Sequence, residues 1–268
     1  PDSEIAVDVA RYLPAGGDPI RDGTTRVVHV FATVGDVQWQ DQDGSMATIR
    51  AGQVRIVAGD RSETLTASGY PPWMIREELE PIELLASRDL EPTVTTDRPA
   101  ILALNEQAED RKSEIRSLAA RSLAFLGSFE ALVAEFKNEQ QRAFWALEFD
   151  ALRDGLTYSR TSATNVRATL ETYHGDKAQE LFQMLCGYDP QQLVQGADGQ
   201  LVDWLSDGAL IARVLAYENL RRITGKTHYY QPWATEARRK SSVQDWLKEL
   251  NEGGIRYATP PGPVTYGQ

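Results

Sequence analysis

The chain has 268 residues, and its 39 acidic against 28 basic side chains give a formal net charge of −11. That field repels phosphate backbones and anionic headgroups, so nucleic acid is not an expected partner. A 41% hydrophobic share is enough to bury one large core or two ordinary ones, while the single cysteine, Cys186, excludes an intrachain disulfide and a thiolate metal cluster.

From Ile5 to Ser68 the governing pattern is alternation. In "RVVHVFATVGDVQWQ" (26–40), Val28, Val30, Val34, Val37 and Trp39 recur among polar neighbours, and Gly35-Asp36 marks a turn. The same alternation sets His29 on the polar face of its strand. "SMATIRAG", "QVRIVAG" and "SETLTASG" follow, each ending near glycine, with another turn at Asp41 to Gly44. Five or six short strands in this span predict a small all-β sandwich or rolled sheet over residues 1–69.

Between residues 70 and 99, Pro71, Pro72, Pro81, Pro92 and Pro99 speak against any long helix or central strand. The expectation is an ordered connector with one short helix near Met74 to Leu79, and with Trp73 packing the connector onto a domain. From Ala100 onward the period is helical, predicting helices at 100–112, 113–126, 129–136, 138–154, 162–173, 176–186, 199–206, 207–224 and 235–251. Ser128, Asn138, Asp176 and Asp198 stand where N-caps belong, and Gly127, Gly155, Gly175, Gly187 and Gly225 where helices end. The fold class is thus α+β in two domains, with an all-α antiparallel helical array over 100–268. The run Arg238-Arg239-Lys240 reads as a solvated turn.

Two of these helices echo each other. "IRSLAARSLAFLG" (115–127) and "ARVLAYENLRRITG" (212–225) share R-x-L-A-x-x-x-L, pairing Arg116 with Arg213, Leu118 with Leu215, Ala119 with Ala216 and Leu123 with Leu220; "VRATLETYHG" (166–175) is a fainter version. Small alanines within a leucine stripe let neighbouring helices approach, and the arginine can bridge to an acidic residue or helix end alongside. The pattern resembles HEAT-like repeats.

The segment "DGTTRVVHVFATVGDVQWQDQDGSMATIRAGQ" (22–53) resembles the core of a FecR-type domain. The residues that carry the likeness are Asp22-Gly23, Val28 and Val30, Gly35 with Val37 and Trp39, and Ile49 with Ala51-Gly52-Gln53. Its glycines suit corners that need positive φ. The resemblance implies an extracytoplasmic β-domain, anchored by one membrane helix upstream, whose short cytoplasmic segment regulates an extracytoplasmic-function sigma factor. With its helical extension, the layout is also similar to envelope-associated regulator-like proteins of planctomycete bacteria. The 268 residues contain neither that cytoplasmic segment nor a run of eighteen apolar residues, and the helical extension is not part of the usual sensor.

Chemistry-bearing constellations are sparse. His29, His174 and His228 are far apart and lack metal-ligand spacing; His174 stands at a helix end, where an imidazolium would meet the dipole. Cys186, in "LFQMLCGY", reads as a buried inert thiol. Glu148, Asp150 and Asp154 read as a solvated helix face, and "DQDG" (41–44) lacks the twelfth-position glutamate of a calcium loop. No Walker A, G-x-S-x-G or G-x-G-x-x-G motif occurs. The expectation is therefore no enzyme, no metal and no cofactor; a hydrolase would require convergent carboxylates of perturbed pKa in a cleft.

One stretch is suited to binding. "HYYQPW" gathers His228, Tyr229, Tyr230 and Trp233 in a turn broken by Pro232. Such rings either anchor a partner or close the core between the last helices, with Trp246 as neighbour. The leading expectation is a non-enzymatic extracytoplasmic sensor or protein-interaction module with a protein partner. The alternative is a cell-wall polysaccharide or peptide binder using Trp39 or Trp233 as a stacking platform.

Overall fold

Strands give way to helices along the chain, as the patterning predicts, although helices begin within the 70–99 connector and not at Ala100. In the computed structural model, which describes residues 3–41, 43–75, 80–259, Gly262 and Tyr266, the strands are β1 (Glu4–Tyr12), β2 (Thr25–Val34), β3 (Val37–Gln40), β4 (Met46–Ile49), β5 (Gln53–Ala58) and β6 (Arg61–Thr66). β1-β2-β5-β6 form an antiparallel sheet, and β3-β4 a separate hairpin.

The sheet is covered on both faces over its central strands. Val27, Phe31, Val54 and Ile56 bury one face beneath Tyr70, Met74 and Tyr266. Val30, Ala32 and Ile49 bury the other, with Val28, Val37 and Trp39 packed alongside. β2 therefore has no polar face. His29 is fully buried, contrary to the alternation reading, because the residues after strand β6 supply a second cover that the local pattern does not encode. Its ring meets Tyr266 edge-on at 4.8 Å, and its Nδ1 lies 3.6 Å from an Asp8 carboxylate oxygen.

The helices are α1 (Pro72–Ile75), α2 (Pro81–Leu90), α3 (Ala100–Gln107), α4 (Ser113–Phe125), α5 (Glu130–Glu135), α6 (Trp145–Tyr158), α7 (Arg160–His174), α8 (Ala178–Cys186), α9 (Pro190–Gln192), α10 (Asp198–Trp204), α11 (Leu210–Thr224) and α12 (Glu236–Asn251). Chain contacts divide the described residues into a sheet unit, 3–13, 24–75, Gly262 and Tyr266, and a helical unit, Pro14–Gly23 and 80–259. The division departs from the sequence boundaries: the β1–β2 loop belongs to the helical unit, and so does most of the connector.

Within that connector α2 is a ten-residue helix, longer than the prolines suggested. Pro81 sits at its first turn, where an amide would have no partner in any case, so it starts a helix instead of breaking one. The expected short helix is observed as α1, and residues 76–79 of that expectation lie outside the described residues. Trp73 donates its Nε1 to Asp8 at 3.1 Å but leaves its ring 57% exposed.

Other departures are local. The predicted 100–112 helix stops at Gln107. The 138–154 segment opens with a 3-10 turn, Glu139–Gln141, capped by Asn138 as expected. Ser128, Asp176 and Asp198 are not the N-caps of the neighbouring helices, whereas Ser159 and Asp189 do cap α7 and α9. The solvated-turn reading fails at Arg239, which is buried and donates to the Ala234 carbonyl.

Within the shared R-x-L-A-x-x-x-L pattern the alanines and the last leucines are alike, Ala119, Ala216, Leu123 and Leu220 being fully buried, whereas Leu215 is buried and its counterpart Leu118 only partly so. Gly155 lies inside α6, not at its end, and the reason is steric. A Cβ built there stands 2.5 Å from Cε1 of buried Phe129. Alanine is favoured over glycine in a helix by roughly 1 kcal/mol, but the overlap costs about 1–3 kcal/mol. Gly155→Ala is therefore expected to destabilise the protein, and a urea midpoint above that of the wild type would contradict this packing.

Candidate functional site

The aromatic turn follows α11, which ends at Gly225 in the left-handed conformation. Tyr230 N–H donates to the Thr227 carbonyl at 3.0 Å, closing a four-residue turn whose central residues, His228 (φ 43°) and Tyr229 (φ 51°), both have positive φ. That is the backbone of a primed turn, which glycine or asparagine adopts readily. For His and Tyr the left-handed conformation costs on the order of 1–2 kcal/mol each.

Burial of the flanking rings offsets the cost. The His228 ring stands edge-on to Trp246 at 4.4 Å, as the core-closing reading expects, and its Nε2 faces Glu249 at 3.5 Å. Lys226 Nζ holds the same carboxylate at 2.6 and 2.7 Å. Tyr230 is buried, donates its hydroxyl proton to the Leu205 carbonyl and packs on Tyr217 at 5.4 Å. Farther along, Arg213 Nε donates to Pro232 O at 2.7 Å, while its Nη1 donates to Asp207 O and Gly208 O at 2.6 and 3.0 Å. Arg116, its counterpart in the motif, faces the Glu135 carboxylate at 3.6 Å. One arginine thus meets an acid and the other a set of loop carbonyls.

The result is selective exposure. Trp233 is half-buried, 6.0 Å from Trp145 and under the Arg142 guanidinium at 5.6 Å. Tyr229 alone of the four points into solvent, 92% exposed. Trp39 belongs to the sheet unit and not to this turn: its indole packs on the cluster of Val30, Ala32 and Ile49 and donates to Asp41 Oδ1 at 2.8 Å. Both tryptophans are half-buried and packed against protein, which weighs against their use as sugar-stacking platforms.

The sequence reading missed a buried carboxyl pair. Glu148, expected on a solvated face, is fully buried, whereas Asp154 is exposed and Asp150 pairs with Arg222. Burial, and secondarily the charge of Glu135, pushes the Glu148 carboxyl up to about 8, against the weaker opposing influences of Ser117, Arg121 and Arg116. Burial likewise raises Glu135 and outweighs Arg116. These are convergent carboxylates of perturbed pKa, with both Glu148 oxygens and one Glu135 oxygen sealed within the helix packing. Only the spacing of α4, α5 and α6 in space reveals the pair.

Burial also shifts Cys186 and His174. Burial pushes the Cys186 thiol up to about 12, which leaves it protonated and unreactive. Burial, then Lys137 and Lys177, lowers the His174 pKa, which works against the charged form that a helix end would favour. No group of three or more potential metal ligands occurs among the described residues, and none of the described helices is long and apolar enough to cross a membrane. No family model, curated protein or solved structure matches the chain.

The raised Glu148 pKa fixes a sign. The folded protein keeps a proton that the unfolded chain releases near the ordinary value of 4.5. The stabilisation is complete below that value and is lost as pH rises toward about 8. Its full extent is at most about 5 kcal/mol. Glu148→Gln is expected to match the wild type near pH 5 and to exceed it by a few kcal/mol near pH 8, checked by urea denaturation across that range; parallel pH profiles would contradict it.

Proposed function

We propose that this chain is a non-enzymatic protein-interaction module of an envelope signalling protein, acting outside the cytoplasm, and that the turn Thr227–Tyr230 presents Tyr229 to a protein partner. The observation that carries the reading is a large ring held 92% exposed by a backbone conformation it would not choose. A tyrosine has only two side-chain torsions to freeze and a hydroxyl for a partner's carbonyl, so a pre-positioned one gains contact area at low entropic cost. The buried frame on either side keeps the ring from folding back onto its own core.

The extracytoplasmic part rests on the likeness of residues 22–53 to FecR-type domains. Supporting it, the quoted Gly23, Gly35 and Gly52 have φ of 77°, 66° and 80°, the corner conformations for which such glycines are suited. Sigma-factor regulation is the output that this likeness implies.

A photo-crosslinking phenylalanine analogue placed at 229 of the full-length protein tests the reading in cells. A discrete adduct is expected at 229 and not at Tyr173, a more buried ring on the same unit. The absence of an adduct at 229, or the same adduct at both positions, contradicts it. Tyr229→Ala should reduce recovery of that partner at least about tenfold while shifting stability by no more than about 0.5 kcal/mol. Protease added to cells with a permeabilised outer barrier should digest these residues; full protection until lysis removes the extracytoplasmic part.

A further inference from the structure

The two edges of the sheet are unlike. β6 is blunted: Arg61, Ser62 and Glu63 are exposed on it, and the Ser62 and Thr64 hydroxyls accept from Arg55 at 2.7 and 2.8 Å. β1 is nine residues long, pairs only with β2 among the described strands, and exposes Ile5, Val7 and Val9 at 55%, 47% and 54%. These three share one face because side chains alternate along a strand. A long apolar edge with unpaired amides and carbonyls is what folded proteins ordinarily protect, by charge, proline or a covering element.

We propose that β1 is a self-association edge, at which two copies of the chain pair β1 antiparallel to β1 about Val7 and join two four-stranded sheets into one of eight strands. A two-fold axis normal to the sheet keeps each face continuous, so opposed residues must share a face. Three central registers satisfy that condition. Centring on Asp8 sets two carboxylates directly opposite each other and puts Ile5 against Arg11. Centring on Ala6 sets Glu4 against Asp8 twice. Centring on Val7 opposes Val7 with its own copy, Ile5 with Val9, Ala6 with Asp8 and Glu4 with Ala10, so that the Ile5, Val7 and Val9 stripe meets itself and no like charges are opposed.

Charge also selects the direction of pairing. β1 has an acid, Glu4, near its start and Arg11 near its end, with Arg26 directly opposite Arg11 on β2. Antiparallel pairing holds the two basic ends, each with Arg11 and Arg26, at opposite ends of the seam, whereas parallel pairing would set them together. The net charge of −11 per copy opposes approach at long range but is screened beyond roughly 8 Å at physiological salt. The patch formed by Ile5, Val7 and Val9 is independent of the Tyr229 turn, so either proposal can fail alone.

Sedimentation velocity of the purified 268-residue chain, followed to about 100 μM because single-strand edge pairing is a small interface, should show a monomer–dimer equilibrium. Val7→Lys, which places two ammonium groups on the axis, should weaken it at least tenfold with the thermal melt unchanged. Two cysteine variants test the register without depending on that substitution. Val7→Cys should form a covalent dimer under mild oxidation, since directly opposed Cβ atoms lie about 4.5–5.5 Å apart. Val9→Cys should not, because its copy is displaced by roughly 13 Å along the strands; buried Cys186 remains silent in both. A chain that stays monomeric throughout, or a Val9→Cys that cross-links as fast as Val7→Cys, overturns the proposal.

Discussion

β2 is buried on both of its faces, and the sheet unit is organised around that constraint. Val27, His29 and Phe31 face one way, Val30 and Ala32 the other, and all five are buried. A lone antiparallel sheet would keep one face in water; here each face requires its own cover. The β3–β4 hairpin supplies one, with Trp39 and Ile49, and Tyr70, Met74 and Tyr266 supply the other. Covering both faces of the central strands leaves the outer strand β1 with small inward residues, Ala6 and Ala10, and an apolar outward stripe. The exposed edge is thus a consequence of how the central strands are buried.

In the helical unit the comparable constraint is electrostatic. Polar groups taken out of water cost free energy unless paired, and several are placed deep in the helix packing. Asn219 answers with two bonds, to Met184 O at 2.9 Å and Leu215 O at 2.8 Å. Arg213 answers with three carbonyls, and its bond to Pro232 O fixes the far end of the aromatic turn. Glu148 takes the other route available to a buried acid and retains its proton at neutral pH. Pairing locks the turn in place, and protonation makes the carboxyl pair pH-sensitive.

Strand number and helix period were legible because they are local. Glycines at the corners and hydrophobic spacing determine them without reference to the rest of the chain. The errors arose where a residue's meaning is set by partners distant in sequence. Pro81 counts as a breaker unless it is recognised as the first turn of α2. Gly155 counts as a terminator until Phe129 is seen against it. His29 follows its strand's alternation only if one face is open, and Glu148 looks solvated when its own helix is considered alone. In the candidate site, "HYYQPW" announced an aromatic cluster by composition, but which ring faces water depends on backbone reversal at two residues without the usual glycine.

That reversal bears on the functional argument. Left-handed His228 and Tyr229 together cost about 2–4 kcal/mol. The Tyr230 hydroxyl bond to Leu205 contributes about 1 kcal/mol, the His228–Trp246 ring pair about 1 kcal/mol, and the Arg213 bond to Pro232 about 1.5–3 kcal/mol. The turn is therefore close to balance, held by tertiary contacts and not by local preference. An Asn-Gly pair would form the same backbone without needing that support. With a tyrosine at the second position, the same tertiary contacts set a rigid aromatic ring outward, and that ring makes the turn suitable for recognition as well as for closing the helical core.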